Sequence, residues 1–130
     1  LDETVARISA AAEAEGWKVQ RVKNLEESIK KNGGGDVLPI RLIDVCNGVH
    51  AGKIMSDDPS RRVSVFMPCT ISVYEKSDGK TYVSSMNAEV LGSLFGGVVA
   101  EVMGKDVSAA QGRFIDAVDE APKVKAPEAP

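Results

Sequence analysis

The segment VSVFMPCTISVYE at residues 63–75 constrains this chain more than any other, because it alternates with a period of two. Val63, Val65, Met67, Cys69, Ile71 and Val73 fall on one face, while Ser64, Thr70 and Ser72 fall on the other. Ser77 to Lys80 reads as a turn, and Thr81 to Met86 as the returning arm of a hairpin. A hairpin with one apolar face needs an antiparallel sheet and something to cover it. Cys69 is expected to point inward. Pro68 has no N–H to give to a ladder, so the strand should lie at an edge there or bulge.

The covering elements are readable as helices. Leu1, Val5, Ile8 and Ala12 recur at spacings of three and four, which predicts a helix over residues 2–15, closed by Gly16. A short strand over 17–22 follows, then a brief helix opened by a capping box of Asn24 and Glu27. Leu38 to Val45 is strand-like and leads to Cys46, after which Asn47 is expected to cap a helix running to Asp57. Asn87 should cap a long buried helix through Met103. The cost of about 1 kcal/mol for each of Gly92, Gly96 and Gly97 inside it suggests a close backbone approach, with a second subunit as one source. A last helix is expected from Ser108 to Val118.

With 130 residues, 43% of them hydrophobic and 27% charged, the chain has enough apolar material for a single core. The expected fold is a single α+β domain over residues 1–119, with a mainly antiparallel sheet and helices packed on one face. Residues 120–130, rich in Ala and Pro, form a tail. The charge of −3, with basic residues scattered, argues against a nucleic-acid partner, and no apolar stretch approaches the ~20 residues of a membrane span. Two cysteines are few for a secreted scaffold, which favours a cytoplasmic setting. Because the chain begins at Leu1 rather than Met, a periplasmic setting with an upstream signal and first strand removed stays open.

The residues with the most chemistry are Cys46, His50 and Cys69. Cys46 and His50 are four apart, which on one helix face brings two side chains together. A thiol at a helix start gains from the dipole and the free amides, which favour thiolate. If Cys69 enters the same space, the three form a Cys/Cys/His set for copper, zinc or haem iron, or for handling sulfane sulfur. Met67, Met55 and Met86 would add soft donors. Each also has a plain reading: free cysteines are commonly buried as small hydrophobes, methionines commonly fill cores, and a single His commonly sits satisfied near a surface. Gly33 to Gly35 lacks the Lys-Ser/Thr of a phosphate-binding loop, and no hydrolase triad has local support. Asp44 is the one carboxylate in an apolar strand and reads as a strand-edge residue.

Asp2-Glu3-Thr4-Val5, the step Cys46-Asn47, and Met67-Pro68-Cys69 followed by VYEKSDGKTYVSSMN together resemble the domain-of-unknown-function family 302, over roughly residues 2–105. The resemblance implies that family's α+β sheet fold, a tendency to form homodimers, and no established activity. It also implies a strand ahead of the first helix. Relatives often carry prolines after the Cys-Asn step, where this chain has Gly48-Val49-His50. Three functional readings follow. The first is a homodimeric binding module with Cys46, Cys69 and His50 around a soft ligand. The second is a structural or interaction domain that dimerises through the glycine-bearing helix at residues 88–103 and keeps both cysteines as inert packing. The third is a thiol enzyme with Cys46 attacking and Cys69 resolving.

Overall fold

A computed structural model of the chain describes residues 1–118, so the tail expected at 120–130 lies outside the described residues. Helix α1 (Asp2–Ala14) buries Ile8 and Ala12, as its three-and-four spacing requires, and the chain leaves it through Gly16 at φ 82°. Strand β1 (Lys18–Asn24) runs directly into α2 (Leu25–Lys31), where Asn24 Oδ1 accepts from Glu27 N at 3.1 Å. Glu27 takes Lys31 as its partner, at 3.0 Å, in place of the reciprocal capping bond. Glu26 then ties α2 to the next strand by accepting from Arg41 and from Ile40 N.

Strands β2 (Ile40–Cys46), β3 (Cys69–Glu75) and β4 (Thr81–Ser85) complete a four-stranded sheet. Its order is β1-β2-β3-β4 and every pairing is antiparallel. Ile43, Val45, Ile71, Val73 and Val83 alternate onto one face and are at most 1% exposed. They pack with Ile8, Leu91, Val99 and Phe114 into one core, so the helices cover that face. The other face is polar. Tyr74 stacks on Tyr82 there at 5.8 Å, and Tyr74 and Ser84 share a hydrogen bond of 2.9 Å.

Two expectations need correcting. The strand begins at Cys69 and not at Val63, because Asp58–Phe66 is a 3-10 helix with Pro59 in its first turn. A three-residue turn places Ser60 and Val63 on one side, where both are buried, and leaves Val65 77% and Phe66 36% exposed. Pro68, joined to Met67 by a cis peptide bond, therefore sits ahead of the ladder and removes no strand pairing.

The long helix expected over 88–103 is broken as well. It splits into α4 (Ala88–Phe95) and α5 (Gly97–Glu101), separated by Gly96 at φ 65°, ψ −167°, a conformation open to glycine and costly for other residues. A π-helical stretch (Val102–Val107) then leads into α6 (Ser108–Asp116). The turn at Gly96 folds the chain back on α4. A Cβ on Gly92 would stand 2.9 Å from Gly104 N and 3.2 Å from Ala100 Cα. The close approach that Gly92 permits is thus internal, not an approach by a second subunit.

Candidate functional site

Cys46 is the last residue of β2, and Asn47 follows in an extended conformation (φ −115°, ψ 109°) as the cap of α3 (Gly48–Met55). Asn47 Oδ1 accepts from Val49 N at 3.0 Å and from His50 N at 3.2 Å, so the cap that the sequence implied is formed. Cys46 consequently precedes the helix. The four-residue helical spacing expected to join it to His50 does not apply, because strand and helix meet between them. The two residues nevertheless meet in space.

Cys46, His50, Cys69 and Met67 line one small cavity of about 30 Å³, with Trp17 and Val45 completing its apolar wall. Strand register produces this meeting. Val45 is the cross-strand partner of Cys69, so Cys46 stands one residue further along β2 from that pair. Met67 enters through the segment that delivers the chain to β3. Met55 and Met86 do not line this cavity; Met55 packs against the core and Met86 is 45% exposed.

Burial pushes the Cys69 thiol up to about 11, and the neighbouring Cys46 adds to the rise. Both cysteines are free thiols. His50 lies tilted against Trp17 with ring centroids 5.7 Å apart, and Trp17 meets Phe114 edge-on at 5.4 Å. His50 Nδ1 is buried without a hydrogen bond, and Asp106 Oδ2 is 3.9 Å away. Among the described residues, no three His, Cys, Asp or Glu side chains are grouped so as to hold a metal ion. A zinc site of the common N/S/O type has no basis there, whereas a set of sulfur donors including Met67 is a different chemistry.

Trp17 was legible only as the start of a strand, although a Trp placed just after a helix-ending Gly is a signal for an anchored corner. Asp44 is more than a strand-edge residue. It is 6% exposed on the polar face, where Arg21 Nε and Nη2 approach one oxygen at 3.1 and 3.0 Å and Thr70 Oγ1 donates to the other at 2.8 Å.

A family profile described as "Domain of unknown function DUF302" matches residues 1–120. The crystal structure of an uncharacterized conserved DUF302 protein from Bacillus stearothermophilus is similar over 89% of this chain and 88% of that one, with a TM-score of 0.74 and 20% identity. At that identity the likeness speaks for the fold. No curated protein matches the chain. Among the described residues, no helix is long and apolar enough to cross a membrane.

Proposed function

Since the chain belongs to the DUF302 family, whose matching profile covers most of its length and assigns no activity, we propose a function from the site itself: a binding module that holds one thiophilic guest among Cys46, Cys69 and Met67. The observation that carries this reading is the shared cavity of about 30 Å³. That is the volume of roughly one water molecule in the liquid. It suits a single ion or a single sulfur atom and is far too small for haem.

Donor type narrows the guest further. Two thiols and a thioether are soft ligands, which select copper(I) over the harder divalent ions. Zinc would want four donors of the Cys, His or carboxylate type. His50, at the rim, serves in this reading to close the cavity together with Trp17. The homodimer that the family resemblance implies is retained within the proposal. Gly92 takes no part in its seam, since that glycine is packed within the chain.

Anaerobic titration of copper(I) against a chromophoric copper(I) chelator tests the reading. One tightly held equivalent is expected, reduced at least a hundredfold by Cys46→Ser or Cys69→Ser with the circular dichroism unchanged. A chain that takes up no copper(I), and whose serine variants differ only in stability, would make both cysteines inert packing. Sedimentation at micromolar concentration checks the dimer, and a monomer throughout would remove it.

A further inference from the structure

A second and much larger cavity, of about 410 Å³, opens at the end of the hairpin, where β4 stops at Ser85 and leaves Cys69 and Thr70 of β3 without a partner on that side. Its volume lies in the range of small-molecule sites. Phe66, Met67, Pro68, Leu91 and Met103 supply an apolar wall. Arg21 and Asp44 are the charged residues that border it, and they are paired with each other at 3.0 Å. A charged guest would find no free countercharge on this wall.

Two polar side chains on the same wall are unusual. Gln111 of α6 is 7% exposed and Ser85 is 4% exposed, and among the described residues neither side chain has a hydrogen-bond partner. Their polar atoms are open to the cavity, since among the described residues the one enclosed side-chain polar atom without a partner is His50 Nδ1. Gln111 is also a misfit by pattern. It stands four residues from Val107 and four from Ile115, both buried, at a position of α6 where an apolar side chain would fit the core. A carboxamide and a hydroxyl each donate and accept. Their natural counterpart is a head group that does both.

We infer that this cavity binds an uncharged amphipathic small molecule of the amide class, its apolar body against Phe66, Leu91 and Met103 and its head paired with Gln111 and Ser85. Water satisfies the two polar groups but not the apolar wall, and a hydrocarbon does the reverse. An amide with an alkyl body satisfies both. Met67 and Cys69 border both cavities, so the test uses the copper-free chain.

The probe is octanamide, followed by isothermal titration and by amide chemical-shift changes in the full-length protein. The expected result is one molecule bound, a negative heat-capacity change from apolar burial, and shifts centred on Ser85, Leu91 and Gln111. Gln111→Met, close in shape, should weaken binding about tenfold, because it removes the amide that pairs with the head group. Should that variant fail to fold, Ser85→Ala removes a single oxygen atom and should weaken octanamide binding several-fold. No octanamide binding at millimolar concentration would overturn the inference, as would binding by both variants that equals the parent.

Discussion

Cys46 and Cys69 reach the same cavity from neighbouring strands, because the antiparallel register that sets Val45 opposite Cys69 leaves Cys46 one residue beyond the pair. Burial holds Cys69 protonated well above the usual range, at about 11. The folded protein therefore disfavours thiolate at this position.

The first prediction concerns pH. The Cys69 thiol is raised from 9.0 to about 11 in the folded state, so the unfolded chain loses this proton first. The stability associated with a neutral Cys69 is fully present below about pH 9 and is lost as pH rises through 11. Urea midpoints measured from pH 8 to 11 should fall more steeply for the parent than for Cys69→Ala. At pH 8, iodoacetamide should modify Cys69 in the folded protein about a hundredfold more slowly than in urea, in proportion to the thiolate fraction. Equal rates, located by peptide mass spectrometry, would contradict the burial argument.

The second prediction separates two glycines. Gly92→Ala puts a Cβ against backbone atoms of Gly104 and Ala100, which have no side-chain freedom to give way, and should cost about 1–3 kcal/mol. Gly104→Ala meets open space and should be neutral or slightly stabilising. Chemical denaturation of the two variants checks the contrast.

The third prediction concerns the joint between α1 and α6. Arg113 donates from Nε and Nη2 to Glu15 at 2.6–3.0 Å, and this hydrogen-bonded pairing lowers the Glu15 pKa. A lowered carboxyl contributes stability above its unfolded value near 4.5 and loses it as pH falls through the folded value. Arg113→Met should lower the urea midpoint at pH 7, and the difference should shrink as pH falls below 4.5.

The fourth prediction is a core test. Phe114 is 0% exposed and meets Trp17 edge-on, so Phe114→Ala should cost about 3–5 kcal/mol. Because Trp17 also walls the small cavity, the variant should weaken copper(I) retention together with stability. Fluorescence of the single tryptophan reports both.

Much of this fold is legible in the sequence where local rules act alone. Asn24, Asn47 and Asn87 cap the helices their positions suggest, and the Asp78-Gly79 turn returns the hairpin with Val73 opposite Val83. Local rules fail where two periods fit the same letters. Val63 to Met67 satisfies a period of two, but Ser60, Val63 and Phe66 also satisfy a period of three, and burial of Val63 with exposure of Val65 decides for the 3-10 turn. Of the glycines in the 88–103 segment, Gly92 marks a close approach, whereas Gly96 and Gly97 take positive φ with open space around them. Which backbone approaches depends on the reversal at Gly96, a tertiary matter. The closeness of Cys46 and Cys69 depends on strand register across 22 intervening positions, which no local pattern encodes. Gln111 was within reach, since its spacing from Val107 and Ile115 already sets a polar residue on an apolar stripe.

The order of the sheet has a kinetic consequence. Each strand pairs with its neighbour along the chain, so the hairpin and the β2–β3 pair close modest loops, and loop-closure entropy rises only slowly with length. The contact of Arg113 with Glu15 spans 98 positions and, with Phe114 against Trp17, joins the two ends of the core. In refolding, the sheet can assemble from local encounters while α6 awaits a distant one, so docking of the last helix is expected to follow sheet assembly.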